Sequence, residues 1–248
     1  MNLSPENLLW GALSLLVAGV VKGISGIGIP LISIPLLSLL IPVPQAIALL
    51  PIPIVVVNIW QVVLSGDLFG VYRRFAPLII AMCTGTVIGT ALLTSIDIST
   101  LLALLGCMVT AFALLELLQV RIRVPPNLHR LAGGIAGFIG GVLGGLSSIF
   151  GPPILMFLMT LQMGKDEFVR TICGIYLISG IMLGITLGAF GVADAQDFKW
   201  SALATVPLLI GVMIGQFARA WVSETLFRRA LLIMLVIIGA NLVRRGLS

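Results

Sequence analysis

Gly23-Ile24-Ser25-Gly26-Ile27-Gly28-Ile29-Pro30 interrupts one apolar stretch, and Gly145-Leu146-Ser147-Ser148-Ile149-Phe150-Gly151-Pro152 interrupts another 122 residues downstream. Both follow the pattern G-[IL]-S-x-I-x-x-P. Glycine and serine are weak helix formers, and proline lacks the N–H that a helix interior needs. Each stretch is therefore expected to break a helix. Outward from the first break, apolar runs cover Leu8–Val21 and Pro30–Ile41, closed by Pro42 and Pro44. At 1.5 Å per residue these arms are about 21 and 18 Å long. Neither crosses a hydrocarbon core of about 30 Å, and joined they would be too long. A re-entrant hairpin, entering and returning on one side, fits both lengths.

Composition sets the class. The chain of 248 residues is 59% hydrophobic and 9% charged, with mean hydropathy +1.21, against about 25% charged in soluble domains. This is the composition of a polytopic membrane protein with room for six to eight helices and no separate soluble domain. The net charge of +5 is the charge of loops that hold orientation in a lipid bilayer, not a sign of nucleic acid. Cys83, Cys107 and Cys173 sit in apolar runs without metal or redox spacing, and His129 lies in a basic loop. No metal or cofactor is expected. The N-terminus lacks the positive region of a cleaved signal peptide and is expected to be retained.

Three ordinary spans follow the first hairpin: Gln45–Gly66, with Pro51 and Pro53 set to kink it, then Ala76–Thr94 and Ile98–Val120. Small residues in the second of these suggest close helix packing. The polar segment 121–130 is expected to be a basic cytoplasmic linker between a first membrane repeat, 1–120, and a second, 131–248. The second half repeats the plan with arms Leu131–Leu146 and Pro152–Gln162 around its break, then spans Phe168–Val192, Ala202–Ala218 and Thr225–Val243. Beyond the breaks, P-L-I-I-A-M-C-T-G from Pro77 matches P-L-L-I-G-V-M-I-G from Pro207.

Loop charge decides the relation of the halves. With re-entrant hairpins, ten basic residues fall on one side: Arg73, Arg74, Arg121, Arg123, Arg130, Lys165, Arg170, Arg219, Arg228 and Arg229. Only Lys199, Arg244 and Arg245 fall on the other. If each broken element crossed once, the division would be eight to five. The positive-inside rule favours the first arrangement, although the C-terminal arginine pair argues against it. The expected fold is thus an all-α polytopic membrane protein of two inverted repeats. Each repeat is a broken re-entrant helical hairpin plus three transmembrane helices, and both termini lie outside.

Paired breaks of this kind mark a transporter's binding site. Pro30 and Pro152 begin short helices whose N-termini carry unpaired N–H groups and partial positive charge, a ready anion site. Gly23, Gly26, Gly28, Gly145 and Gly151 would let backbone approach a ligand, and Ser25, Ser147 and Ser148 would add hydroxyls. Lys22 is a counter-charge for the anion or a residue that snorkels or pairs with Glu116. Asn58 and Gln61, like Thr84, Tyr176, Ser179 and Gln216, either line the cavity or bond between helices; Asn58 is carried as a candidate. The bland alternative for the breaks themselves is kinked helices packed tightly through small residues.

At these residues the sequence resembles the sulfite exporter TauE/SafE family of bacterial membrane transporters, over nearly the whole chain. The resemblance rests on G-I-S-G-I-G-I-P-L-I-S-I-P-L from Gly23, G-L-S-S-I-F-G-P-P-I-L from Gly145, and the paired P-L-x-I-x-x-x-x-G spans. Family members usually carry three consecutive glycines where this chain has Gly26-Ile27-Gly28. The resemblance implies a small permease of the bacterial inner membrane, often for sulfite or sulfonated organic acids. The expectation is a secondary transporter of such a small anionic substrate by alternating access. No Walker-type phosphate loop is present. Coupling to a proton is left open, because no buried acid stands out as its carrier, and so is assembly as a homo-oligomer. An anion channel is the alternative. An intramembrane enzyme ranks lower, since neither paired aspartates nor H-E-x-x-H occurs.

Overall fold

The computed structural model describes residues 5–25, 29–63, 68–118, 124–218, 221 and 224–247. The described residues are helical apart from short connectors. The first break separates α1 (Pro5–Ser25) from α2 (Ile29–Leu37). They are followed by α3 (Val43–Ala48), α4 (Pro51–Val63), α5 (Leu68–Arg74), α6 (Ala76–Leu93) and α7 (Ile98–Leu117). Beyond the linker come α8 (His129–Ser147), α9 (Gly151–Met159), α10 (Lys165–Ala189), α11 (Ala195–Ala218) and α12 (Glu224–Leu247). Seven stretches of the described residues are long and apolar enough to cross a membrane. Large apolar side chains such as Ile80, Ile185, Leu203 and Met213 face outward, as a lipid-exposed surface requires.

The arms of the hairpins differ from their sequence lengths. α1 has 21 residues and takes in Lys22, Gly23 and Ser25, where a 14-residue arm ending at Val21 is expected. α8 has 19 residues, while α2 and α9 have nine each, about 13 Å. The first arm continues through Gly23 because that residue packs directly on the backbone of a neighbouring helix, and packing outweighs a propensity cost of up to about 1 kcal/mol per residue. The return course is visible in α9. Phe150 lies against Gly144, Ile154 against Gly140 and Phe157 against Gly133, so α9 runs back antiparallel along α8. Leu37, at the end of α2, likewise touches the Gly11 level of α1.

The helices form two compact units. One unit holds Met1–Leu50, Ser95–Val120 and Asp194–Ser248; the other holds Pro51–Thr94 and Arg121–Ala193. Each unit draws on both sides of the linker, so packing groups the chain differently from its linear order. In the first unit α1 and α11 run parallel through Gly19, Gly23, Gly211 and Gly215. A Cβ on Gly19 or Gly23 would strike the carbonyl of Leu208 or Val212. In the second unit α6 and α8 run parallel in the same manner through Gly85, Gly89, Gly137, Gly141 and Gly145. These are small-xxx-small seams that bring backbones together in the absence of a hydrophobic force.

The proline kink expected at Pro51 and Pro53 is a break between α3 and α4. Pro53 has no N–H to give the carbonyl of Leu49, four residues earlier. The Ser201 hydroxyl, fully buried on α11, donates to that carbonyl at 3.0 Å instead. Away from the spans, Asp97 caps α7 by accepting from the Thr100 N–H at 2.9 Å. That bond holds its carboxyl below the usual range.

Two consequences can be measured by thermal unfolding in detergent. Gly141→Ala puts a Cβ into the Met82 carbonyl and should cost roughly 1–3 kcal/mol as α6 and α8 separate. Gly134→Ala, where a Cβ meets open space, should be neutral or slightly stabilising. Ser201→Ala should cost about 1–3 kcal/mol, because the Leu49 carbonyl is left buried without a donor.

Candidate functional site

The second break is fully described and has the clearer geometry. α8 ends on Ser148, whose φ of 61° puts it in the left-handed region. Its N–H closes onto the Gly144 carbonyl at 2.6 Å. This is a left-handed helix cap, a position usually filled by glycine or asparagine because a side chain there adds strain. Serine is the costlier choice, so its hydroxyl needs a reason. Yet Ser148 Oγ makes no hydrogen bond, although the residue is fully buried. Its neighbour Ser147 is spent locally, donating to the Leu143 carbonyl at 2.6 Å and accepting from the Ile149 N–H at 3.2 Å.

Tyr176 and Asn58 of the same unit also carry buried polar atoms without a hydrogen bond. Tyr176 on α10 is 8% exposed and Asn58 on α4 is 2% exposed, and neither the tyrosine hydroxyl nor Asn58 Oδ1 has a partner. The Tyr176 hydroxyl lies 2.9 Å from the point a Cβ on Gly151 would occupy. It is therefore directed at the first residue of α9, and only glycine leaves it room. α4 and α10 run antiparallel. Gln61 Oε1 accepts from the Cys173 thiol at 3.1 Å, and Gly180 packs against Ile54. Asn58 and Tyr176 stand opposite each other between those contacts. Asn58 turns its amide N–H back to the Ile54 carbonyl at 2.7 Å, leaving its oxygen over.

Leaving three buried polar atoms unsatisfied costs on the order of 1–3 kcal/mol each. Such groups are uncommon in a folded protein, and a ligand would satisfy them. The start of α9 adds the positive end of a helix dipole. Its N–H supply is poorer than the sequence reading expects, because Pro152 and Pro153 follow Gly151 at once and proline has no N–H. An anion there would lean on the hydroxyls of Ser148 and Tyr176 and on the Gly151 N–H.

The other candidates are distributed as follows. Gly23 and Gly145 lie inside helices against neighbouring backbone, the tight-packing role weighed for the breaks. Lys22 is buried in the last turn of α1 and engaged by a partner within the protein. Ser25 ends α1, and Pro30 stands second in α2. Gly26 and Gly28 fall outside the described residues. Thr84 and Ser179 bond to carbonyls of their own helices, and Gln216 is exposed. Tyr176 is the residue that sequence reasoning underweights. It is one of only two tyrosines, and a phenol within an apolar helix was the available signal. Among the described residues no cluster of histidine, cysteine or acidic side chains could hold a metal.

The family profile described as Sulfite exporter TauE/SafE matches residues 11–242. Neither a curated protein nor a solved structure matches the chain. The profile runs through both breaks and six of the seven membrane-length stretches and into the seventh, and on that ground the chain belongs to the sulfite exporter TauE/SafE family.

Proposed function

We propose that this protein is a secondary transporter that carries a small sulfur oxyanion, sulfite or a sulfonated organic acid, across the bacterial inner membrane by alternating access. The observation that carries this reading is the set of unpartnered buried polar atoms around the start of α9: Ser148 Oγ, the Tyr176 hydroxyl and Asn58 Oδ1. Two hydroxyl donors and one helix N-terminus suit the oxygens of a sulfite or sulfonate group, while Asn58 Oδ1 can accept from a protonated anion. The start of α2, beside Pro30, is a helix N-terminus of the same kind within its own unit. Substrate class is taken from the family.

Inverted repeats, 1–120 and 131–248, are part of the same proposal, and helix directions support them. If each broken element crossed the bilayer once, α7 and α12 would run parallel, as would α4 and α10. With re-entrant hairpins both pairs run antiparallel. Gly106 of α7 faces Gly239 and Val243 of α12, while Gly246 faces Ser99 and Ala103, which is an antiparallel register. α4 and α10 are antiparallel too. The equivalent pairings α1 with α11 and α8 with α6 are both parallel, as two repeats of opposite orientation require.

Flux of labelled sulfite and sulfonates in reconstituted vesicles tests the transport reading. Tyr176→Phe and Ser148→Gly should each raise the half-saturation concentration roughly tenfold or more, the worth of a hydrogen bond to a charged group. Both variants should melt at or above the parent temperature, since each removes a buried group without a partner. Reduced flux with reduced stability would point to a structural role instead and defeat the site assignment. Unchanged flux after Lys22→Ala and Ser25→Ala would remove those two residues from it. Saturable counterflow would separate a carrier from a channel. Single cysteines at positions 2 and 248 should be labelled from outside the cell by an impermeant reagent; labelling only after permeabilisation would overturn the proposed topology.

A further inference from the structure

A second feature, separate from the breaks, is an open cleft of about 500 Å³ in the second unit. Its polar lining comes from Arg73 at the end of α5 and from His129 and Arg130 at the start of α8; its apolar lining includes Leu78, Phe157 and Leu161. Arg74, also on the lining, is committed. It forms an ion pair with Glu167 and lies 5.2 Å from the Phe75 ring centroid. Arg73 and Arg130 are exposed and make no ion pair or hydrogen bond among the described residues. His129 Nε2 is 3.1 Å from the Val124 carbonyl, which orients the ring at the cleft wall.

The position of these groups is as informative as their charge. The membrane-length stretches Ala76–Leu93 and Pro126–Ser147 both begin here, so the cleft lies where helix enters hydrocarbon. The described helix ends gathered here carry Arg73, Arg74, Arg130 and, one turn from Glu167, Arg170, and by the positive-inside rule so basic an end is the cytoplasmic one. Two guanidiniums, always charged and shaped to grip phosphate oxygens, stand above a wall of Phe157 and Leu161. The N-terminal ends of α6 and α8 add partial positive charge in the same place. An inorganic anion would use the arginines and leave the apolar wall idle. A phospholipid uses both, with its phosphate on the arginines and its glycerol and first methylenes on the wall.

We propose that this cleft binds the headgroup of an anionic phospholipid of the cytoplasmic leaflet, with Arg73 and Arg130 as the phosphate ligands. Basic recesses between helices on the cytoplasmic side are suited to such headgroups. The lipid would clamp the start of α8 to the ends of α5 and α9, holding the base of the second hairpin.

The test uses the full chain purified in neutral detergent and titrated at fixed ionic strength with short-chain phosphatidylglycerol, matched phosphatidylcholine or inorganic phosphate. Thermal unfolding is the readout. Phosphatidylglycerol should raise the melting temperature saturably, and the other two should not. In Arg73→Gln/Arg130→Gln the half-effective lipid concentration should rise about fivefold per arginine, roughly thirtyfold for the pair. The unliganded variant should melt like the parent, because both side chains are exposed and unpaired. Arg244→Gln, an equal charge loss per site elsewhere, should leave the lipid response unchanged. A matching response to inorganic phosphate would overturn the proposal in favour of a free-anion site. No response to phosphatidylglycerol, or equal weakening in Arg244→Gln, would overturn it in favour of diffuse surface charge.

Discussion

Inside a bilayer lipid tails are as apolar as leucine, so burial against another helix brings little hydrophobic gain. Helices associate there when backbones come close enough for dense van der Waals contact and weak Cα–H···O bonds. In this protein that requirement falls on glycine. Gly19 and Gly23 meet Gly211 and Gly215, while Gly85 and Gly89 meet Gly137, Gly141 and Gly145, each at a distance that excludes a Cβ. The long helix of each hairpin is thereby fixed to a full membrane span. The short helix beside it, nine residues long, then packs against a helix whose own position is set.

Irregular backbone within a membrane is tolerated where protein or a polar cavity satisfies it. Two solutions occur in the chain. Between α3 and α4, Ser201 supplies the donor that Pro53 lacks, and the account closes within the protein. Around the start of α9 it stays open, with Ser148, Tyr176 and Asn58 each keeping a polar atom in reserve. The same kind of irregularity thus produces a structural joint in one place and a candidate site in the other. What separates them is whether the protein itself provides the last partner.

Much of the architecture is legible in the sequence because membrane folding depends on features that local composition carries. Hydropathy marks the spans, Pro30 and Pro152 mark the starts of the short helices, and Pro51 with Pro53 marks an interruption. Glycine is harder to interpret. Gly23 and Gly151 belong to the same repeated pattern, yet Gly23 packs helix on helix while Gly151 makes room for a tyrosine hydroxyl. Which role applies depends on what faces the missing Cβ, and that partner lies far away in the chain. The length of α1 is obscured for a related reason. Gly23 looks like a terminus until α11 is present to pack against it. Tyr176 was hidden because a phenol in an apolar helix has two ordinary uses, and only the unfilled state of its hydroxyl distinguishes them.

The prolines after Gly151 narrow the chemistry of the site further. A helix N-terminus ordinarily offers several N–H groups to an anion, and such a site would accept many anions of suitable size. Pro152 and Pro153 remove two of those groups while keeping the helix dipole, so attraction remains but directional bonding moves to side chains. Side-chain hydroxyls on separate elements, Ser148 after α8 and Tyr176 on α10, would be satisfied together by a ligand with oxygens in the right relative positions. Selectivity would then reside in the distance between two hydroxyls rather than in the helix end. That distance would change if the hairpin shifted against α10. A transporter with this design would couple hairpin movement directly to its grip on the anion, releasing it without any change of charge at the site.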